Sequence, residues 1–504
     1  MVQSPKAKAV EKWGIFELAL SSSLLKRPAR GNPFRDVQFG ASFTFKHQTV
    51  HVDGFYDGDG VYCVRFMPDE IGPWSYVTHS NAPRLDGVRG TFLCTPPSAG
   101  NHGPVDVYRY FHFVHADGER HYPFGTTCYA WIHQPPALRA QTLRTLARSP
   151  FNKLRMCVFP KHYVYNTNEP DCFPFLQKPQ KPQKHPPRRG RERDQEKWSW
   201  DLDRFDVRFW RKLDRCVARL CELGIQADLI LFHPYDRWGF ANLDAQTEER
   251  YLKYLIARLA AYRNVWWSMA NEWDFMKAKT VKDFDRYFRI VRANDPYGHL
   301  RSVHNGRIFY DHTKPWVTHC SVQHADLTKV AEWREQYVKP VVVDECGYEG
   351  DIERRWGNLP GWELVHRVWM GVVRGGYVGH GETFLHRRDV LWWSKGGRLY
   401  GQSASRIAFL RRILERSPRA ALEPVSLGRG NDALARPGEY YLFYYGLHQP
   451  AKMPMDLPAG GRFRVELIDT WRETIRPLAG TFKGKFTLKL PGKPFMAVRM
   501  TKVN

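Results

Sequence analysis

The sequence lacks the features that mark a membrane protein, a disulfide-linked protein or a zinc protein. It contains no run of about 18 apolar residues, and its first 14 residues, MVQSPKAKAVEKWG, include no apolar signal core. Its nine cysteines are odd in number and form no CxxC pair, which argues against a disulfide framework or a zinc site. No HExxH motif occurs either. We therefore expect a soluble, cytoplasmic protein that has no membrane partner, no metal and no cofactor.

Acidic residues are few relative to basic ones, and the net charge is +24. Such a balance favours anionic partners in general. No basic helix or zinc finger accompanies it, so we expect no nucleic-acid partner, and binding of an anionic polymer is the weakest alternative. Residues 176–197 contribute +5, from eight basic and three acidic residues. This Pro-rich segment is too polar to pack, and we interpret it as a solvated loop, a lid or a basic rim that faces an anionic substrate.

Three regions with different residue patterns divide the chain. Residues 1–104 contain short alternating segments broken by Gly and Asp, which predict an N-terminal β-sandwich of immunoglobulin-like type. Residues 105–418 alternate apolar strands with amphipathic helices, a pattern typical of a parallel sheet. Residues 419–504 return to short β-like segments and predict a C-terminal β-sandwich.

The middle region contains eight strand candidates between residues 120 and 385, the number and length of a (β/α)8 TIM barrel. The fifth unit is irregular, because only about a dozen residues and no convincing helix follow its strand. In this fold the active site forms at the carboxyl ends of the strands. The predicted strands end near polar or aromatic residues: Trp131, Tyr163, His233, Glu272, His304, His324, Glu345 and His380.

Two of these strand ends carry carboxylates that suit bond cleavage at a sugar. Glu272 ends the fourth strand in VWWSMANEWD, and Glu345 ends the seventh in PVVVDECGYEG. Strands four and seven face each other across an eight-stranded barrel, where two carboxyl groups can approach about 5–5.5 Å, as in retaining glycosidases. Asn271 can bind a sugar 2-hydroxyl beside Glu272. Asp344 is an alternative to Glu345 as the second carboxylate, and the alternation of side chains along the strand does not decide which of them faces the barrel axis.

With these residues, the chain resembles clan A retaining glycoside hydrolases. The segments VDGFYDGDGVYCVRFMPDEIGPWSY and FGTTCYAWIHQ are similar to uncharacterised glycosidases that carry an N-terminal immunoglobulin-like domain and a C-terminal β-sandwich. The resemblance implies that Glu272 is the acid/base and Glu345, rather than Asp344, the nucleophile. It implies that Asn271 binds the 2-hydroxyl and that Arg155, in NKLRMCVF, braces the nucleophile.

Further residues are candidates for contacts with the sugar. Aromatic residues make up 14% of the chain, with 18 tryptophans, which suits stacking on sugars as well as large aromatic cores. This chain departs from the family pattern after strand eight, where the usual aromatic residue is not evident and GHGETF offers His380 and Glu382 instead. His324 is interpreted as a residue that orients the nucleophile. The remaining candidates are Trp131, His133, Tyr163, His233, Tyr235 and Tyr348.

These patterns predict a retaining glycoside hydrolase that acts on oligosaccharides by double displacement with two Glu. The expected bond is β-glycosidic, or its stereochemical equivalent of α-L-arabinoside type. A non-catalytic carbohydrate-binding protein on the same scaffold and a transglycosylase, which shares the first chemical step, are the alternatives. The oligomeric state is open, a homo-oligomer included.

Overall fold

The computed structural model describes residues 8–21, 31–179, 198–386, 391–419, 421–427, 432–457 and 460–503. Most of the basic segment, from residue 180 to 197, lies outside these ranges, so its role as a loop, lid or rim stays a prediction. Within the described ranges, every helix is too short or too polar to cross a membrane.

The N-terminal region forms two sheets around one core. Its strands are β1 (Lys8–Glu11), β2 (Phe16–Ser21), β3 (Phe39–Phe45), β4 (Gln48–Asp53), β5 (Phe55–Tyr56), β6 (Val61–Phe66), β7 (Gly72–Ser80) and β8 (Arg89–Thr95). One sheet has the order β1-β8-β7-β3-β4, and the other has the order β2-β6-β5. Alternate residues of β7 are buried, as expected for strands with one solvated face. The rings of Phe43 and Phe66 stack across the two sheets, with centroids 4.2 Å apart.

The middle region contains a short antiparallel sheet and then eight parallel strands. In chain order its strands are β9 (Val105–Tyr108), β10 (His112–His115), β11 (Arg120–His121), β12 (Gly125–Thr127), β13 (Lys153–Cys157), β14 (Phe175–Gln177), β15 (Trp200–Phe205), β16 (Gln226–Phe232), β17 (Val265–Ala270), β18 (Arg301–Ser302), β19 (Cys320–Gln323), β20 (Val341–Glu345), β21 (Glu349–Gly350), β22 (Tyr377–Val378) and β23 (Glu382–Thr383). The strands β9–β11 form the short sheet, and β14 pairs antiparallel with β15.

The eight predicted strands correspond to β12, β13, β16, β17, β18, β19, β20 and β22. They form two parallel sheets with the orders β12-β13-β16-β17-β18 and β19-β20-β22. One parallel bridge joins His304 to Ser321 and another joins Thr126 to His380, so each sheet touches the other at both of its edges. Every residue of β16 and β17 is buried, because other elements cover both of their faces.

Helices follow most of these strands. They are α1 (Pro136–Leu146), α2 (Val207–Glu222), α3 (Ala245–Leu259), α4 (Val281–Asn294), α5 (Val330–Tyr337), α6 (Gly361–Val373), α7 (Trp392–Lys395) and α8 (Ser403–Glu415). The predicted apolar face of α2, which includes Phe209, Leu213 and Leu220, is buried. Residues 303–319, all described, contain no helix between β18 and β19, as expected for the fifth unit.

The C-terminal region again forms two sheets. Its strands are β24 (Glu423–Ser426), β25 (Asp432–Arg436), β26 (Tyr440–Tyr444), β27 (Lys452–Asp456), β28 (Arg462–Asp469), β29 (Thr474–Pro477), β30 (Lys485–Lys489) and β31 (Met496–Val503). Six strands pair in the order β24-β25-β26-β31-β28-β29, while β27 pairs with β30. Both sheets contribute to one core, and His366 of α6 bonds to the Tyr444 hydroxyl at 3.0 Å, which joins this region to the middle of the chain.

Candidate active site

Inside the parallel strands lies a fully buried network of ion pairs. Lys153 Nζ lies 2.6 Å from Asp228 Oδ2 and 2.7 Å from Asp344 Oδ1, and Arg155 Nη1 lies 2.9 Å from Asp344 Oδ2. Burial alone raises the pKa of Asp344, but Lys153 and then Arg155 outweigh it and hold this pKa well below its ordinary value. Asp344 is therefore bound by two cations, which leaves its neighbour Glu345 as the carboxylate that lines the cavity described next.

A cavity of about 130 Å³ opens at the carboxyl ends of the strands. Its polar lining consists of Glu272, Glu345, Lys161 and Gln323. Its aromatic lining consists of Tyr129, Tyr163, Tyr235, Tyr348, Trp356 and Trp393. Aromatic walls around a few polar groups are typical of sites that bind small ligands such as sugars. In the described part of the chain, no group of three or more His, Cys, Asp and Glu is arranged to hold a metal ion.

Each glutamate of the cavity is held by a different tyrosine. The Tyr235 hydroxyl donates a hydrogen bond to Glu272 Oε2, and Asn271 Nδ2 donates a second one at 3.0 Å. The Tyr129 hydroxyl donates to Glu345 Oε1, and His304 Nε2 lies 4.0 Å from the same oxygen. These contacts restrict the rotamers of both carboxyl groups before any ligand arrives, which is the preorganisation that catalysis needs.

The two glutamates differ in their surroundings. Glu272 is only 7% exposed, and burial followed by the charge of Glu345 raises the pKa of Glu272 to about 7. Lys161 and the hydrogen bond from Tyr235 act in the opposite direction but are smaller. A pKa raised toward neutrality suits a carboxyl group that acts first as an acid and then as a base.

The backbone of Glu272 adopts a left-handed conformation, with φ 49° and ψ 56°. A residue with a Cβ pays roughly 1–2 kcal/mol for this conformation. The turn is held from outside: the Trp273 N–H donates to the His304 carbonyl at 3.0 Å. Asp274 accepts three backbone N–H groups from residues 306–308, at 2.5, 2.7 and 3.0 Å. The strain therefore sits at the predicted acid/base, where it directs the carboxyl group into the cavity.

Asn271 and Arg155 lie beneath the cavity rather than in its lining. Arg155 Nη2 donates to Asn271 Oδ1 at 3.2 Å, and the Tyr129 hydroxyl lies 3.0 Å from the same oxygen. This orients the Asn271 amide with its Nδ2 toward Glu272. Arg155 holds Asp344 and Asn271, and among the described residues it makes no direct bond to Glu345, so its support of Glu345 is indirect. Asn271, as placed, orients the Glu272 carboxyl group.

Tyr163, Tyr235 and Tyr348 are the predicted contact residues that the structure brings to the cavity with the two glutamates. Three others lie in the core and have protein partners instead. Trp131 is fully buried and donates to the Arg139 carbonyl at 3.3 Å. His133 and His233 donate through Nε2 to the carbonyls of Val158 and Phe159, both at 3.1 Å. Their predicted contact with sugar is corrected, because their polar atoms bind the backbone.

The predictions for His324, His380 and Glu382 are corrected in the same way. The His324 ring accepts the Asp326 N–H at 3.0 Å, and it is the His324 backbone N–H that contacts Glu345, by donating to its carbonyl at 2.9 Å. His380 lies 3.0 Å from Thr126 Oγ1, and burial lowers its pKa to about 3. Glu382 accepts two backbone N–H groups ahead of α8, from Tyr400 at 2.8 Å and from the next residue.

Six cavity residues were not predicted from the sequence: Tyr129, Lys161, Gln323, Gly347, Trp356 and Trp393. Tyr129 lies two residues before Trp131 at the end of the first strand segment. The aromatic residues at this strand end indicated a cavity contact, but the residue that lines the cavity is Tyr129 and not Trp131. Trp393 lies in α7, 15 residues after β22, and supplies the aromatic residue after strand eight that the sequence did not reveal. No local pattern in the sequence marks Lys161 or Trp356.

Comparison with known proteins assigns the chain to a family. Residues 108–419, more than half of the chain, match the family described as Apiosidase-like, catalytic domain. The chain belongs to this family. Flanking the apiosidase-like region, residues 9–81 match Domain of unknown function (DUF5060) and residues 431–501 match Domain of unknown function (DUF5605).

Solved structures agree with this family membership. The apiosidase-like chain is 38% identical to a candidate glycoside hydrolase from Bacteroides vulgatus ATCC 8482, with a TM-score of 0.91 over 98% of this chain and 100% of that one. A glycoside hydrolase family 5 protein from the same organism shares the fold at 16% identity, with a TM-score of 0.58 over 80% of this chain and 94% of that one. None of the curated proteins matches the chain. Together these likenesses support a glycosidase with a carbohydrate substrate.

Proposed function

We propose that the protein is a retaining glycoside hydrolase that cleaves a β-glycosidic bond, or an α-L-arabinoside-type equivalent, in oligosaccharides. The observation that carries the proposal is the cavity that Glu272 and Glu345 share, with the pKa of Glu272 raised to about 7. Double displacement requires two carboxyl groups at one site, and the acid among them benefits from a pKa raised toward neutrality.

In the first step, the Glu345 carboxylate attacks the anomeric carbon while Glu272 donates its proton to the leaving oxygen. In the second step, the Glu272 carboxylate removes a proton from water, which attacks the anomeric carbon and releases Glu345. The Tyr129 and Tyr235 hydroxyls hold the two carboxyl groups in position through both steps. If a sugar replaces water as the acceptor, the same residues perform transglycosylation.

We further infer that the two parallel sheets form a single (β/α)8 barrel, because a bridge joins them at both edges. The flanking sheets, assigned to residues 1–104 and 419–504, are proposed to be an immunoglobulin-like sandwich and a second β-sandwich, with the barrel at 105–418. A shared core between two sheets in each flanking region supports this division.

The family description makes apiosides the first substrates to test. With a substrate that is turned over, proton NMR of the earliest product is expected to show the anomer with the configuration of the substrate, because two inversions at one carbon restore it. An inverted first product excludes double displacement. In the presence of a second sugar, a product that contains this sugar identifies a transglycosylase.

The pH dependence of kcat/KM tests the assignment of Glu272 as the acid. Because the acid must be protonated, the rate is expected to fall as the pH rises through about 7, the pKa of Glu272 in the free enzyme. The hydrogen bond from Tyr235 lowers this pKa, so Tyr235→Phe is expected to move the alkaline limb upward by about one pH unit.

Tyr163→Phe is the matched control for this experiment. Tyr163 lines the same cavity, and its ring packs edge-on against Tyr235 with centroids 5.5 Å apart. Its hydroxyl donates no hydrogen bond to Glu272 among the contacts of the described residues, so the limb stays in place in this variant. A limb that does not move in Tyr235→Phe, or that moves equally in both variants, contradicts the assignment.

A further inference from the structure

His304 places an imidazole ring beside the nucleophile without a hydrogen bond of its own. The ring is fully buried, and its Nε2 lies 4.0 Å from Glu345 Oε1. In the described part of the chain, neither ring nitrogen has a hydrogen-bond partner. By contrast, His233 and His380 each place one ring nitrogen near a protein oxygen, at 3.1 and 3.0 Å. Because buried polar groups in proteins normally have partners, an imidazole without one beside a reacting carboxyl group indicates a use in the reaction.

The backbone of His304 fixes the position of this ring. Its N–H donates to the Ala270 carbonyl at 3.0 Å, and its carbonyl accepts the Trp273 N–H at 3.0 Å, on the two sides of the strained turn. A parallel bridge joins His304 to Ser321 in β19. The residue is therefore held between the ends of β17 and β19, so a movement of the nucleophile rather than of the histidine closes the remaining gap.

The imidazole of His304 is neutral. Burial, followed by the charge of Arg155, lowers the pKa of His304 well below its ordinary value, and the opposing charge of Asp344 is smaller. A neutral imidazole carries one N–H and one lone pair. The proton is assigned to Nε2, since this nitrogen faces the carboxylate oxygen of Glu345.

The contacts of Glu345 give its two oxygens different roles. Oε1 faces both the His304 ring and the Tyr129 hydroxyl, which donates to it. Oε2 is therefore the oxygen that attacks the anomeric carbon, and Oε1 becomes the carbonyl oxygen of the glycosyl-enzyme. The Tyr129 hydroxyl also lies 3.0 Å from Asn271 Oδ1, and its single proton cannot serve both oxygens fully. A second donor to Oε1 is therefore useful when negative charge returns to this oxygen.

That charge returns in the second displacement. Water attacks the anomeric carbon and gives a proton to Glu272, the bond from this carbon to Oε2 breaks, and its electron pair returns to the Glu345 carboxylate. A hydrogen bond to a carboxylate is stronger than one to an ester carbonyl, so a donor at Oε1 lowers the barrier to this step. In the free enzyme, the 4.0 Å separation exceeds the length of a hydrogen bond, so the donor does not weaken the nucleophile before the first step.

We propose that His304 is a positioning residue for the second displacement, whose Nε2–H donates to Glu345 Oε1 while water releases the sugar. The ring keeps its proton throughout, and a shift of about 1 Å in the nucleophile converts the contact into a hydrogen bond. This inference rests on the proposed double displacement, which it deepens by assigning a separate group to the second step. It predicts that His304 variants accumulate the glycosyl-enzyme.

A dinitrophenyl 2-deoxy-2-fluoro glycoside of a sugar that the wild type cleaves resolves the two displacements. The rate of inactivation measures formation of the glycosyl-enzyme, and the recovery of activity after removal of excess reagent measures its hydrolysis. The variants are His304→Gln and His304→Asn, which carry the same carboxamide, but only the longer side chain places an N–H where Nε2 lies. His304→Asn is expected to slow recovery by roughly 10- to 100-fold and to change inactivation by only a few-fold, while His304→Gln recovers at nearly the wild-type rate.

Steady-state kinetics with the ordinary dinitrophenyl glycoside give an independent measurement. When hydrolysis of the glycosyl-enzyme limits turnover, kcat and KM are expected to fall by the same factor in His304→Asn, so that kcat/KM is unchanged. His304→Leu, which removes the donor without adding a polar group, is expected to behave in the same way. A fall in kcat/KM as large as the fall in kcat means that His304 only supports the packing of the site, and this overturns the proposal.

His319→Asn is the matched control. His319 is as buried as His304 and has one ring nitrogen without a partner among the described residues, but it precedes β19, at the opposite end of this strand from the cavity. This variant is expected to keep both displacement rates within a few-fold of the wild type. A selective loss of recovery in His319→Asn, or equal recovery in the Gln and Asn variants of His304, contradicts the proposal. Thermal unfolding checks that each variant is folded.

The two proposals fail in different ways. If mass spectrometry finds the fluorinated sugar on Glu345 of the wild type and His304→Asn recovers normally, the role of His304 fails and the hydrolase assignment stands. If the wild type cleaves with inversion and forms no glycosyl-enzyme, double displacement fails and the role of His304 fails with it.

Discussion

Replacement of Glu345 by alanine is expected to lower kcat by roughly 10,000-fold or more on every glycoside that the protein cleaves. The reason is that the first displacement loses its nucleophile, while the acid, the cavity walls and the ion pairs beneath them are kept. The measurement is the steady-state rate with an aryl glycoside of a sugar that the wild type turns over. Glu345→Gln, which keeps the size of the side chain, is expected to lose as much.

Azide distinguishes loss of a nucleophile from general damage to the site. In Glu345→Ala, the azide ion fits the space that the carboxylate leaves and attacks the anomeric carbon directly. A single displacement follows, so the glycosyl azide is expected to have the configuration opposite to that of the substrate. The control is Glu353→Ala, at a side chain that is 76% exposed and paired only at 3.6 Å with Arg354. This variant is expected to retain full activity. Unchanged turnover in Glu345→Ala rejects the two-glutamate mechanism.

Replacement of Glu272 by alanine is expected to give a loss that depends on the leaving group. Without an acid, cleavage of a bond to a sugar slows by about 100- to 10,000-fold, because the leaving oxygen departs unprotonated. A dinitrophenyl glycoside needs no proton, so formation of the glycosyl-enzyme is expected to continue, and the intermediate accumulates because no base activates water. A rapid burst of released dinitrophenolate followed by a slow phase is the measurement.

Azide again gives the diagnostic product in Glu272→Ala. It attacks the glycosyl-enzyme without a general base, so the slow phase is expected to accelerate and the glycosyl azide to retain the configuration of the substrate. Opposite configurations of the azide from the two variants therefore assign the two roles independently. The alkaline limb near pH 7 is also expected to disappear for this substrate. If both variants give the same azide anomer, the roles of Glu272 and Glu345 are not as proposed.

The site concentrates features that cost stability. Glu272 has a strained backbone and a raised pKa, and Lys161 is buried without an ion partner among the described residues. The surrounding structure offsets these costs through the three backbone bonds to Asp274 and through the ion pairs around Lys153. Such local conflict between side chains and their environment is expected where a fold serves chemistry rather than stability.

Much of the fold was predictable because its signals are local. Buried parallel strands are continuous apolar runs such as LILF in β16, and surface helices such as α2 repeat apolar residues every three or four positions. The absence of a helix between β18 and β19 was also predictable from the sequence, because the connection is short and lacks apolar residues at helical spacing. The strand ends at Glu272 and Glu345 followed from these runs, so both carboxylates were named as candidates.

The errors at the site concern side-chain direction. Trp131, His133 and His233 follow the correct strands but turn into the core, where backbone carbonyls bind them. A residue near a strand end can face the cavity or the surrounding helices, and a loop of irregular backbone removes the alternation that distinguishes the two. For this reason the sequence predicted which loops line the cavity more reliably than which residues of those loops do.

The sequence by itself determined the order of strands and helices, the three regions of the chain and the two strands that end in glutamate, since these depend on the apolar period and on residue type. Only the tertiary structure shows that Asp344 pairs with two cations from β13 while Glu345 lines the cavity, because these contacts join residues of distant strands. It likewise decided that Lys161 and Trp393 meet, with Nζ 4.9 Å from the ring centroid. These residues are more than 200 positions apart, and only the packing of the loops brings them together.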